Sequence, residues 1–422
     1  MKLLVIGSGG REHAIIHALK KNKNVEEIYC LPGNGGIAKD AIIYPIKANE
    51  IDAQVAFAKE KEIDYVIVTP DNPLALGAVD KFEAAGFKCF GPHQNAAIIE
   101  SSKAFSKDLM KRYSIPTADY QTFDNEEEAY DYIDLKGAPI VIKADGLALG
   151  KGVIIAQTVE EAKEAVKEML SDKKFGDAGN TIVIEEYLEG PEVSILTFTD
   201  GETLKPMISS MDHKRALDND CGLNTGGMGA IAPNPYYTKE IEEISMKTIF
   251  LPTIEAMKKE GRTFKGCLYF SLMLTKDGPK VIEYNARFGD PETQAVLKLM
   301  ESDLLEAMMA TTNGTLKDCD IKFSQDSACC VIVASKGYPL SYQKDFLIEI
   351  DDDILDDCDI AGAYLKDNKL YSNGGRVIAL TKTAPTLKEA IDASYKALKG
   401  IHFENGYYRH DIGQRALKAE VK

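Results

Sequence analysis

Short apolar runs alternate with stretches of helical period from the first residue onward. Leu3–Ile6, Glu27–Leu31, Ala41–Ile43, Tyr65–Val68 and Lys88–Phe90 are brief and continuous, as buried strands are. Between them, Arg11–Lys21 and Asp52–Lys61 space their apolar residues as helices do. The strands end in Gly or Pro: Gly7, Pro32-Gly33, Pro70, Gly91-Pro92. This βαβ rhythm predicts a parallel sheet for residues 1–101, with ligands at the carboxyl ends of its strands. A helix follows over Lys103–Tyr113 and stops before Pro116. Residues 117–188 alternate strand and helix again, and Thr158-x-x-Glu161 is a capping box opening a helix to Leu170. Residues 190–320 mix long strands with helices. The pattern restarts at about 325 with the apolar run Ala328–Ala334 and a turn at Asn373-Gly374-Gly375. The expected architecture is multidomain, α/β and α+β. An N-terminal parallel-sheet domain spans 1–101, a central domain 102–324 (with a smaller unit at about 117–188), and a separate C-terminal α+β domain 325–422.

Composition narrows the partners. The 422 residues carry a formal net charge of -16, so there is no dense basic face for nucleic acid, and anionic membranes are repelled. A phosphorylated substrate must therefore be held by a few local cations and backbone amides. None of the eight cysteines forms a CxxC pair, and Cys329-Cys330 sits in an apolar run, which reads as reduced core residues. The first apolar stretch stops at Gly7, and no apolar run reaches the roughly 20 residues that span a bilayer. A cytoplasmic location is expected. The acidic run from Asp351 to Asp359 lacks the spacing of a calcium loop and reads as a solvated turn.

The opening, MKLLVIGSGGREHA, resembles a dinucleotide-binding turn but departs from it twice. Gly7 and Gly9 fit G-x-G-x-x-G, yet the third slot is Glu12, and the second strand ends in Leu31-Pro32-Gly33-Asn34 rather than in a ribose-binding carboxylate. A tight turn at a helix N-terminus remains, able to approach a phosphate, with Arg11 as a nearby cation. A second glycine loop, IVIKADGLALGKGVIIA (140–156), imitates a P-loop and fails by count. Three residues separate Gly146 from Gly150, and Gly152 stands where a hydroxyl is needed. Val153–Ala156 also reads as a strand rather than a helix. A strand–loop–strand lid over nucleotide phosphates is expected, with Gly150, Lys151 and Gly152 at its tip. Lys143, inside the preceding apolar strand, needs an anionic partner, either an internal carboxylate or a phosphate. In IVIEEYLEGPEVS (182–194), the edge segment Glu185-Glu186-Tyr187-Leu188 can offer backbone groups to an adenine, and Glu192 can accept from ribose hydroxyls.

The stretch KVIEYNARFGDPETQ (280–294) is the most informative. Alternate strand residues share a face, so Glu283, Asn285 and Arg287 stand together. A carboxylate and an amide oxygen suit Mg²⁺ bridging nucleotide phosphates, and a guanidinium suits charge developing on a transferred phosphoryl group. Asp290-Pro291-Glu292 then opens a helix with carboxylates able to bind an amine. The glycine-rich segment 209–230, with Asp212, His213, Lys214 and Arg215, is expected to be a mobile loop over the substrate.

Taken together, GSGGRE, KADGLALGKGV, EEYLEGPE, DHKR, NTGGMGA and EYNARFGDPETQ occur in the order of the phosphoribosylamine–glycine ligase family, within the ATP-grasp superfamily. The resemblance extends to RHDIGQRA near the C-terminus. It implies a pre-ATP-grasp N-terminal domain, an ATP-grasp clamp and a C-terminal domain. The implied activity joins glycine to 5-phosphoribosylamine with ATP, through glycyl phosphate, early in purine biosynthesis; the implied state is a monomer. By the same resemblance Lys103 and Lys143 contact phosphates, Glu186 and Leu188 the adenine, and Glu192 the ribose. Glu283 and Asn285 hold Mg²⁺ or Mn²⁺. Gly9, Gly10, Gly33, Asn34 and Asp71 form the sugar-phosphate pocket, and Asp212, Lys214, Arg215, Thr225, Gly226 and Arg287 surround glycine and the acyl phosphate. Arg11 and Asp290 are further substrate candidates, and Glu185 a further nucleotide candidate.

Three positions depart from the family pattern. Ser271 stands where many ATP-grasp enzymes carry a further acidic metal ligand, Asp71 replaces a longer Glu, and Leu149 replaces a smaller loop residue. Rival readings are another ATP-grasp ligase such as a carboxyaminoimidazole ribonucleotide synthetase, an oxidoreductase, and a non-catalytic nucleotide sensor. The DHKR and NTGGMG blocks oppose the first, Glu12 and the missing ribose acid the second, and the intact Glu283, Asn285 and Arg287 the third.

Overall fold

The computed structural model describes residues 1–148 and 152–420. Its N-terminal part is a five-stranded parallel sheet in the order Ile42–Ile43, Glu27–Pro32, Lys2–Gly7, Tyr65–Val68, Lys88–Phe90. Leu3, Leu4, Val5 and Ile6 are wholly buried, as a central strand covered on both faces must be. Strand order reverses between Lys2–Gly7 and Tyr65–Val68, which opens a crevice at their carboxyl ends. Glu12 occupies part of it. Its carboxylate accepts hydrogen bonds from the Gly9 N–H and the Thr69 hydroxyl (2.7 Å) and pairs with Arg11 (2.6 Å). Gly7 has φ +135°, and a Cβ there would lie 2.5 Å from Glu12 Cγ. The glutamate in the third slot thus serves the turn itself, by capping it.

Two antiparallel four-stranded sheets follow. The first runs Tyr120–Phe123, Ile182–Glu186, Ile140–Ala144, Val153–Ala156. It confirms the strand–loop–strand reading, since the helix Val159–Leu170 begins only after the second strand. Phe123, Ile133, Ile142, Val166, Met169 and Ile182 give this unit a small core of its own. The second sheet runs Leu204–Pro206, Glu192–Thr199, Gly266–Thr275, Gly278–Asn285. Its register sets Ser271 opposite Glu283 and then slips, so that Leu272 faces Val281 and Ile282 is the extra residue. This bulge turns the Ile282 carbonyl to accept a hydrogen bond from Lys143 Nζ at 3.1 Å.

The last large sheet crosses the boundary expected near residue 325. Its order is Met211–Asp212, Gly229–Ala232, Ser327–Ser335, Arg376–Ala384, Cys358–Ile360, so two of its strands precede residue 325. The segment 209–230 is therefore no plain loop: it begins and ends in this sheet. Between those strands it carries a hairpin of Arg215–Leu217 and Cys221–Asn224. Strands of two to four residues set among glycines and charges show too little alternation to be read as strands. One continuous core includes Val5, Phe198, Met228, Val296 and Cys330, and so runs through all three parts of the chain. All eight cysteines are free thiols, and six are buried; Cys221 is exposed and Cys319 half-buried. Among the described residues no helix is long and apolar enough to cross a membrane.

A polar seam fastens the N-terminal helix Gly10–Leu19 to the C-terminal sheet. His13 Nδ1 accepts the Ile360 N–H (2.8 Å), so its Nε2 carries the proton and donates to Asp40 (3.0 Å). His17 meets carboxylates at both nitrogens, Asp359 at 3.0 Å and Asp40 at 3.3 Å. His13, His17 and Asp40 have the spacing of a metal site, but both nitrogens of each ring are already committed. Burial works against charge on His17, yet the two carboxylates raise its pKa to about 9. The stabilisation from this imidazolium is thus complete below the ordinary value near 6.5 and fades as pH rises through about 9. His17→Gln is expected to cost roughly 2 kcal/mol at pH 7, discounted for partial exposure, with the gap closing by pH ~10. Thermal melts of both proteins across that range check it; a gap independent of pH would refute the charged bridge.

Candidate active site

The two antiparallel sheets face one cavity of about 710 Å³, which also reaches the N-terminal crevice and the C-terminal sheet. Glu283, Asn285 and Arg287 line it together, as alternation along one strand requires. Arg287 Nη2 donates to Asn285 Oδ1 (3.1 Å) and pairs with Glu100 (3.2 Å), whose carboxylate also accepts the Ala286 N–H (2.7 Å). Burial opposes charge on Glu283, but Lys214, Lys143, Lys103 and Arg287 around it hold its carboxyl below the usual range.

Lys143 has an internal carboxylate partner. Its ammonium and that of Lys107 both lie 3.0 Å from Glu185 Oε2, and all three side chains are nearly inaccessible. Burial lowers Lys107 to about 8 despite that partner. Among the described residues Glu185 Oε1 has no hydrogen-bond partner and is buried, an acceptor awaiting a donor. Val141, Ile155, Leu188 and Met273 add apolar walls to the cavity. Lys103 Nζ donates to the Gly146 carbonyl (3.0 Å), and burial lowers its pKa. Glu192 pairs with Lys214 at 2.7 Å.

At the opposite end, burial and the neighbouring Glu292 carboxylate push Asp212 well above the usual range, in spite of Lys214 and Arg376. Glu292 accepts from Tyr269 Oη (2.9 Å) and Ser194 Oγ (3.4 Å). Asp290 pairs with Arg376 (3.1 Å) on the C-terminal sheet. Arg376 Nη1 also donates to the carbonyls of Gly226 (2.7 Å) and Asp290 (2.8 Å). A Cβ on Gly226 would meet that guanidinium at 2.9 Å, which explains the glycine.

The cavity thus gathers Lys103, Lys143, Gly152, Glu185, Glu186, Leu188 and Glu192 with Asp212, Lys214, Arg215, Thr225 and Gly226; Arg11, Asp71 and Asp290 also line it. Gly150 and Lys151, like Leu149, lie outside the described residues. Gly9, Gly10, Gly33 and Asn34 do not line the cavity, although Gly9 is close enough to Asp290 that a Cβ would sit 3.5 Å from its carboxylate. Asn34 is fully engaged elsewhere: its Nδ2 donates to the carbonyls of Ser8 (2.9 Å) and Ile360 (2.7 Å), and its Oδ1 accepts the N–H groups of Gly36 and Ile37. Sequence reasoning missed Lys107, Glu100, Arg376 and Tyr338, which lines the cavity and whose hydroxyl accepts the Gly226 N–H at 3.0 Å. Lys107 had a signal, one helical turn from Lys103 on the same face. Arg376 had a weaker one, as the charge that opens an apolar run.

Two antiparallel sheets closing on a cavity of lysines and carboxylates, beside a parallel-sheet domain, define an ATP-grasp enzyme. Residues 1–100, 101–293 and 328–415 match the N, ATP-grasp and C domains of phosphoribosylglycinamide synthetase, and the chain belongs to that family. It is 47% identical to the phosphoribosylamine–glycine ligase of Caldanaerobacter subterraneus subsp. tengcongensis over 98% of this chain and 99% of that one. With the ligase of Halalkalibacterium halodurans the identity is 46%, over 99% and 97%. The crystal structure of the Thermotoga maritima phosphoribosylamine–glycine ligase superposes with TM-score 0.85 at 32% identity, covering 98% of this chain and all (100%) of that one. A biotin carboxylase from Campylobacter jejuni shares the fold at TM-score 0.74 and 16% identity, over 98% of both chains.

Proposed function

We propose that this cavity ligates glycine to 5-phosphoribosylamine at the expense of ATP, through glycyl phosphate. The observation that carries the reading is the single face of Glu283, Asn285 and Arg287 set among Lys103, Lys143 and Lys214. ATP enters between the two antiparallel sheets. Its adenine lies against the apolar wall, where the free Glu185 Oε1 accepts from the exocyclic amine. Lys103 and Lys143 meet the phosphates, and Glu192 the ribose. The donor set fits a divalent cation: Glu283 and Asn285 supply hard oxygens, and with Ser271 in place of a further acid, waters would complete the shell. These residues would hold Mg²⁺ or Mn²⁺, which neutralises phosphate charge when bound.

A glycine carboxylate oxygen attacks the γ-phosphorus and ADP leaves. Asp212 and Glu292, which disfavour sharing one site as two anions, offer that negative charge to the glycine ammonium. The amine of phosphoribosylamine, arriving from the N-terminal crevice past Arg11 and Asp71, attacks the acyl carbon. The bond from that carbon to the phosphate oxygen breaks, phosphate departs and the amine loses a proton. Arg287 stands beside the oxygens that gain charge. No covalent bond to the enzyme is needed, so catalysis is positioning and charge stabilisation.

The test is ADP release by purified protein with ATP, Mg²⁺, glycine and phosphoribosylamine generated in the cuvette. Release that requires both glycine and the amine, with glycinamide ribonucleotide identified by mass, is expected. Release with a different acid–amine pair would keep the ATP clamp and displace the substrates; nucleotide binding without turnover on any pair would return the sensor reading.

A further inference from the structure

The hairpin Arg215–Asn224 forms one wall of the cavity through Arg215, Asp220 and Asn224. It has little to hold it in place. Among the described residues its two strands pair only with each other, and Leu217 and residues 219–223 are exposed. At its turn Asn219 and Asp220 are both left-handed, with φ 60° and 52°, a backbone that persists only where its surroundings over-determine it.

Among the described residues, the hydrogen bonds leaving this hairpin all go to Arg409–Arg415. Arg409 Nη1 donates to the Arg215 carbonyl (3.1 Å) and to Asp220 Oδ1 (3.0 Å). The His410 N–H donates to Asp218 (2.7 Å), Asp411 accepts the Asn219 N–H (2.9 Å), and Arg415 donates to Asp220 Oδ2 (3.0 Å). Two residues before the hairpin, His213 Nε2 accepts the Gly413 N–H (3.1 Å), which leaves its Nδ1 to donate to the Gly229 carbonyl (3.2 Å). Arg409 is buried and is itself aimed by a two-pronged bond to Asp411, both contacts at 2.8 Å.

We propose that Arg409–Arg415 is a strap that fixes the hairpin as a wall of the acceptor end of the cavity, with Arg409 as its positioning residue. Arg409 touches no substrate; it acts through Arg215, Asp220 and the turn between them. The assignment of that end to glycine and phosphoribosylamine rests on the function proposed above, whereas the strap itself does not.

Arg409→Met in the full-length chain tests it, with two readouts. Hydrogen exchange of the amides in 216–223 should quicken at least tenfold, while strands Ile140–Ala144 and Ile182–Glu186 keep their protection. In turnover, kcat/KM for glycine and for the amine should fall about 30-fold or more, the KM for ATP staying within twofold; Arg409→Lys should recover part of the loss. Asp220→Asn, on the exposed side of the same bonds, covers the case in which Arg409→Met does not fold. It should raise exchange at 217–222 at least threefold at an unchanged melting temperature. Unaltered exchange in the hairpin of a folded variant, or a loss shared equally by ATP and the other substrates, would overturn the strap. Loss of protection in a protein that never ligates glycine would keep the strap and overturn the functional reading instead.

Discussion

Glu283→Gln should lower kcat/KM by about 10³ while the protein stays folded, because it removes charge without removing shape. The side chain sits on the strand Gly278–Asn285, opposite Ser271, with Asn285 beside it on the same face. Glutamine fits that space and keeps an oxygen. It cannot balance Lys103, Lys143, Lys214 and Arg287, the cations that hold Glu283 ionised in spite of burial. Nor can it bind a hard divalent cation as a carboxylate does. The diagnostic is a split in nucleotide binding: ATP without metal should bind at least as well as to the parent, and the gain on adding Mg²⁺ should vanish. A folded variant with parental turnover would take Glu283 out of the site.

Arg287→Lys should cost about 10²–10³ in kcat with little change in the KM for ATP. The substitution keeps one positive charge, so a merely electrostatic role would survive it. The guanidinium reaches three groups at once: Asn285 Oδ1, Glu100 and the Phe288 carbonyl (3.2 Å). Lysine has no planar fork and cannot serve them all while still facing the cavity. It would also leave Glu100 less well paired. Burial already raises the pKa of that carboxyl even with Arg287 beside it, and the variant should raise it further. A rate loss below tenfold would show that Arg287 acts as a charge alone.

What could be read from the sequence was what is local. The five N-terminal strands and the first helix were legible because apolar runs and turn residues lie next to each other. The face of Glu283, Asn285 and Arg287 was legible because a strand repeats every two residues. Partners distant in sequence were not. Lys143 called for an anion, but nothing near it pointed to Glu185, brought alongside by antiparallel pairing of two strands, or to Lys107 from a separate helix. Arg376 is paired with Asp290 only because the sheet that carries it packs against the helix Glu292–Leu299. Asn34 shows the same limit. The resemblance named it for the sugar-phosphate pocket, and nothing in the sequence showed that its amide also joins two parts of the chain. The roles given to individual cavity residues stand as proposals for the variants above.

The weaving of Met211–Asp212 and Gly229–Ala232 into the C-terminal sheet bears on how this polypeptide can be divided. A cut near residue 325 severs no strand, yet it splits one sheet between two products. The upstream fragment would be left with one short two-stranded ribbon whose Gly229–Ala232 strand lacks its neighbour, and the downstream fragment with the bare flank of Ser327–Ser335. Such flanks recruit foreign strands, so each half made alone should precipitate. Co-production would let the flanks find each other, which makes this seam a place to build a split reporter whose signal depends on reassembly.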